Sequence, residues 1–167
     1  WKQTDPPGDF LRFVVDTYLQ RELSKLVDSQ NAELFSRDDL SEIFCEVAEM
    51  TARNVAAEVD ESDLVTAAEV ALGRELDEKE QRRLVALCGM SAEWSEHELS
   101  FSFTHLAIAE HFLARQIVRV PFQQALALLS EVAISALCAQ LIASMWSEEA
   151  RDAAPYTRLT LPTIRRV

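Results

Sequence analysis

The 167 residues carry 28 acids against 16 bases, a net charge of −12 that repels phosphate backbones and sets nucleic acid aside as a direct ligand. A hydrophobic fraction of 49% with 3 glycines and 5 prolines points to a globular chain of helices rather than a sandwich or barrel. The length suits one compact domain or two small packed subdomains.

Pro6 and Pro7 stand just before the first helical pattern. Leu11, Val15, Leu19, Leu23 and Leu26 then recur at helical steps, and Ser29-Gln30-Asn31 is expected to break the run. Ser36 followed by Asp39 is a carboxylate variant of the capping box and opens a second helix. Leu40, Ile43, Phe44, Val47 and Met50 form its apolar side, and its polar positions are largely Glu. Residues 28–80 hold 16 acids against 4 bases, while the rest of the chain is balanced at 12 each. This acidic stretch reads either as a solvated helical face or as a docking face for a basic partner.

After Val59-Asp60, the pattern predicts a helix over Glu61–Leu72, closed by Gly73. Asp77 with Glu80 caps a fourth helix, with Leu84, Leu87 and Cys88 on its apolar side and Gly89 at its end. The alternation in Leu99-Ser100-Phe101-Ser102-Phe103 has a period of two. The polar turn Ser95-Glu96-His97-Glu98 separates it from Ala92 and Trp94, which predicts a two-stranded hairpin. Helices followed by a hairpin are the plan of a winged-helix subdomain. Thr104 is the expected N-cap of the next helix, which runs to an interruption at Pro121. Residues 122–146 are almost wholly apolar or small, and their charge-free run is shorter than a bilayer needs. An interior helix or an interface hairpin is expected there, with no membrane span. Residues 155–167 form a basic tail. The fold class is therefore mainly α: a winged-helix-like subdomain over residues 8–120, a helical hairpin over 121–154, then a linker or tail.

Cys45, Cys88 and Cys138 are far apart, form no CxxC pair, and lie among apolar neighbours, as small core residues do. That usage and the lack of an opening secretory signal fit a reducing, cytoplasmic setting. A first residue of Trp1 rather than Met leads us to expect a piece of a longer protein.

None of the three glycines belongs to a phosphate loop, and no nucleophile elbow or catalytic residue is evident. His105, Glu110 and His111 make the densest polar grouping. Residues five and six apart on a helix are rotated by about 140° and 240°, so the three diverge and no metal site is expected. His105 has two readings. It is either a packed ring satisfied by a backbone carbonyl, the commoner case, or a donor imidazole beside the free N–H groups of a helix start, suited to a phosphate oxygen.

The run Phe101-Ser102-Phe103-Thr104-His105-Leu106-Ala107-Ile108-Ala109-Glu110-His111-Phe112-Leu113-Ala114 resembles the F-x-F-x-H-x-x-x-x-E-[YF]-[FL]-x-A signature of NACHT proteins. These are signal-transduction (STAND) NTPases, and the motif ends their winged-helix domain. A helix ending in Arg21-Glu22-Leu23, a second over residues 40–50 and an acidic segment follow a similar order, so the resemblance covers residues 8–120. His111 replaces the usual aromatic, and Ala109 stands where the family often has Gln.

The resemblance implies an ATP/ADP-dependent switch that self-associates when triggered, with bacterial antiviral defence a family-level role. It implies that His105 senses the β-phosphate of ADP, while Phe101, Phe103, Glu110, Phe112 and Ala114 are architectural, Glu110 pairing with a base at a domain junction. Nucleotide and Mg would belong to the nucleotide-binding domain of the parent chain, which is the expected partner; this segment would hold no cofactor. Two rivals stand beside that reading. One is a stand-alone helical interaction module using the acidic face or residues 122–146. The other is a winged-helix DNA binder, whose best helix balances Lys79, Arg82 and Arg83 against Asp77, Glu78 and Glu80.

Overall fold

The computed structural model describes residues 7–26, 34–54, 57–87, 90–95 and 98–153. The expected break at Ser29-Gln30-Asn31, the helix end at Cys88 and Gly89, the turn residues Glu96 and His97, and the basic tail lie outside them. Seven helices and three short strands are described: α1 (Pro7–Leu23), α2 (Arg37–Arg53), β1 (Val59–Asp60), α3 (Glu61–Leu72), α4 (Glu78–Leu87), β2 (Ser91–Ser95), β3 (Glu98–Ser102), α5 (Leu106–Arg119), α6 (Phe122–Glu131) and α7 (Ala136–Ala153). The chain is mainly α. No described helix is long and apolar enough to cross a membrane.

Helix starts follow the capping chemistry in the sequence. The Ser36 hydroxyl accepts from the Asp39 N–H at 3.0 Å, and the Asp39 carboxylate accepts from the Ser36 N–H at 2.8 Å. Each bond satisfies a donor that the first turn leaves open. Asp77 and Glu80 make the same reciprocal pair at α4, at 2.8 and 3.0 Å. Gly73 ends α3 with φ +63°, a left-handed conformation that costs glycine nothing.

Two boundaries differ from expectation. Helix α1 ends at Leu23, short of the apolar run that continues to Leu26, because Lys25 and Leu26 donate to carbonyls three residues back and tighten the turn. Leu26 is nevertheless fully buried. The N-cap of α5 is His105, not Thr104: the His105 carbonyl accepts from Ile108 and Ala109, at 2.9 and 3.3 Å.

The hairpin gains a third strand. β1 pairs antiparallel with β3, Val59 opposite Phe101, on the edge away from β2, giving the order β1-β3-β2. Two residues are too short to register as an alternating pattern. The succession α2-β1-α3-α4-β2-β3, with β3 central, is the winged-helix arrangement.

One continuous core runs from Leu11 to Ile142. Phe44 is its centre, fully buried, with the rings of Tyr18, Phe103 and Phe112 at 5.8, 5.8 and 5.2 Å. Helix α5 packs against α1, α2, α6 and α7, and α7 continues the core along α5. Much of the acidic face of α2 is neutralised within the chain. Glu42 and Glu46 pair with Arg119, and Gln116 Nε2 donates to Glu46 and Glu49 at 3.0 and 2.8 Å.

Replacing Phe44 by Ala should cost about 3–5 kcal/mol of stability, against about 1 kcal/mol for Ser36→Ala at the α2 cap. Urea unfolding of both variants measures the contrast.

Candidate functional site

The signature residues separate into buried and exposed sets. Phe101, Phe112 and Ala114 are core residues at 1%, 0% and 0% exposure, and Phe103 packs partly buried beside them. With those positions turned inward, the helical phase of α5 is fixed. His105, one residue before the helix, is left exposed.

The imidazole of His105 lines a cavity of about 340 Å³ with Thr104 and Ile108 on one side and Phe13, Thr17, Tyr18 and Arg21 of α1 on the other. His105 makes no side-chain cap bond to its own helix, so the first-turn N–H groups of Leu106 and Ala107 have no intrahelical acceptor. The Arg21 guanidinium lies 5.5 Å from the Tyr18 ring centre and bonds Glu22 through Nε at 2.8 Å, with its side chain largely exposed. Glu22 is fully buried and is also held by Lys25 at 2.9 Å. The His105 side chain and the Arg21 guanidinium, the latter already paired with Glu22, therefore border one groove. Arg21 and Thr17 lie more than eighty residues from His105 in the chain, and no spacing in the sequence links them.

Glu110 and His111 line two other cavities, as their rotation about the helix requires. His111 is 7% exposed and faces a cavity of about 550 Å³ between α1, α2, α5 and α7. Burial, then the positive charges of Arg115 and Arg12, push its pKa down to about 4. Its Nδ1 and the Ser41 hydroxyl, which lines the same cavity, are buried without a hydrogen-bond partner. The bases around them are engaged: Arg12 with Glu148 at 2.6 Å, Arg37 with Asp16, and Arg115 and Arg119 with Glu42. Sequence reasoning missed this polar cavity; the histidine in an aromatic position of the signature was its one trace.

Glu110 lines the cavity beside Phe103, Leu113 and Cys138 and forms no ion pair with a base among the described residues. Cys45 and Cys138 are buried and free, with thiol pKa values pushed up to about 12 and about 11, chiefly by burial. Such thiols are poor nucleophiles at neutral pH. On α4, Arg82 is tied to Glu78, and Glu80 holds Arg74 on the preceding loop at 2.7 Å.

The His111 imidazole is neutral in the fold and takes up a proton more readily once unfolded. Its stabilising contribution is complete above the ordinary value of 6.5 and is lost as pH falls toward about 4. The loss is about 3 kcal/mol across that window. Glu46, whose pKa burial raises, works in the opposite direction, and Asp60 and Glu80, held low by hydrogen bonds, lose their contributions below it. Comparison with His111→Phe isolates the imidazole, since all three carboxylates are present in both proteins. Urea unfolding between pH 4.5 and 7 should show a flatter slope for the variant.

No protein family, curated protein or solved structure matches this chain.

Proposed function

We propose that this chain is the winged-helix regulatory segment of a nucleotide-dependent signalling switch of the NACHT/STAND type. In this reading it has no catalytic role of its own. It reads the ADP or ATP state of a neighbouring nucleotide-binding domain, in a cytoplasmic protein that self-associates when triggered. The observation that carries the reading is the exposed His105 imidazole at the start of α5, bordering an open groove with Arg21. A ring buried in the chain's own interior would have had no route to an outside phosphate.

Two further features support it. The apolar positions of the signature, Phe101, Phe103, Phe112 and Ala114, are the ones that fix the helix carrying His105. Phe13 and Leu106, on either side of the histidine, are 62% and 73% exposed. Large exposed apolar side chains around a polar group are what a surface covered by another domain presents.

The mechanism is conformational. With ADP held by the neighbouring domain, the imidazole and the open N–H groups of α5 bind its terminal phosphate and keep the two domains closed. Loss of that contact lets the winged helix rotate as a rigid body. A charge-assisted bond of this kind contributes about 1.5–3 kcal/mol, a bias of about ten- to a hundredfold on a two-state switch.

In a protein joining this segment to its phosphate-loop domain, His105→Ala should weaken ADP retention and raise spontaneous self-association by about ten- to a hundredfold. Nucleotide release and size-exclusion chromatography measure the two effects. Wild-type retention and silence in the variant would remove the sensing role.

A further inference from the structure

We propose that the cavity between α2, α5 and the start of α7 is a binding site for a small organic cation, an ammonium or guanidinium group on a hydrocarbon body. The cavity holds about 390 Å³, within the range of small-molecule sites. Its walls are mostly apolar, with Ala48, Ala52, Phe103, Leu106 and Leu113 among the lining residues. Two acids line it, Glu110, a residue 9% exposed, and the half-buried Glu58; Glu110 is the deeper of the two.

That carboxylate is the anomaly. Among the described residues, no hydrogen bond or ion pair reaches it, and no lysine or arginine lines the cavity. Elsewhere in the fold, buried or half-buried acids are held by cations or amides: Glu22 by Arg21 and Lys25, Glu42 by Arg119, Glu46 by Arg119 and Gln116. An apolar wall strengthens the attraction of a carboxylate for an opposite charge. The charge is felt inside the cavity, for Glu110 contributes to the raised thiol pKa of Cys138 on its α7 side.

Glu58 adds a second acid to the lining, and Thr51 and Ser135 do not compete for the Glu110 carboxylate. Thr51 donates to the Ala48 carbonyl at 3.1 Å, and the Ser135 hydroxyl accepts from the Cys138 N–H at 3.0 Å. An ammonium placed against Glu110 would leave its hydrocarbon body against Phe103, Leu106 and Leu113. Neutral ligands gain only the apolar contact, and anions are repelled. The site is separate from the groove of His105, so the inference does not rest on nucleotide sensing.

The test titrates the full chain with n-hexylamine hydrochloride, with n-hexanol as the neutral probe of the same length, following backbone amides of Leu106, Leu113 and Cys138 by NMR. The amine should bind about tenfold more tightly than the alcohol. Glu110→Gln should abolish that preference while keeping the alcohol's affinity. Glu61→Gln, at an exposed acid on α3, should keep the preference. Ala133→Phe, at an exposed lining position, should fill the cavity and block both probes. Equal binding of the two probes by the wild type overturns the proposal. So does an amine preference that survives Glu110→Gln, or one that Glu61→Gln reduces as much, which would mark diffuse attraction to an acidic surface. Continued binding of both probes to Ala133→Phe would place them elsewhere and overturn it too.

Discussion

The structure turns on the contact between Phe44 of α2 and Phe112 of α5, whose ring centres are 5.2 Å apart. Both residues are fully buried, and Tyr18 and Phe103 close the cluster from α1 and from the end of β3. Ala114, two residues on, is also fully buried and small enough for neighbours to approach the α5 backbone. These contacts fix the rotation of α5 about its own axis. The direction of every polar side chain on it follows. His105 is left at the open end, while Glu110 and His111 face cavities on different sides. A helix with this many packed neighbours moves as a body or not at all.

The electrostatics repeat that division. The chain's acid excess lies within residues 28–80, yet the part of it on α2 is spent on α5, where Arg115, Arg119 and Gln116 meet Glu42, Glu46 and Glu49. Such partly exposed pairs contribute little to stability individually. Their regular placement instead orients two helices already joined by the aromatic cluster. The acids of α3 and α4 remain outside this ladder.

The sequence carried most of the local structure because its signals were local. Ser36 with Asp39, Asp77 with Glu80, and Gly73 marked helix ends that the backbone bonds realise. Steps of three and four marked the buried sides of α1 and α2. What escaped was either too short or non-local. β1 is two residues, and its place beside β3 rests on a pairing forty residues away. The cap of α5 shifted from Thr104 to His105 because the last described residues of the strand lead into a bend before the helix. For the site, the divergence of His105, Glu110 and His111 was legible from helical geometry alone. The partners were not: Arg21 reaches the His105 groove from α1, and Ser41 meets the His111 cavity from α2. No spacing rule joins residues that only tertiary packing brings together.

The functional reading reduces to one contact between an exposed imidazole and a phosphate held outside this chain. Nitrogen-15 NMR of the histidine side chains, in a protein joining the chain to its phosphate-loop domain, observes that contact directly. Addition of ADP should shift the ring nitrogens of His105 and leave those of buried His111 in place. Bound ADP with unmoved His105 nitrogens would contradict the account.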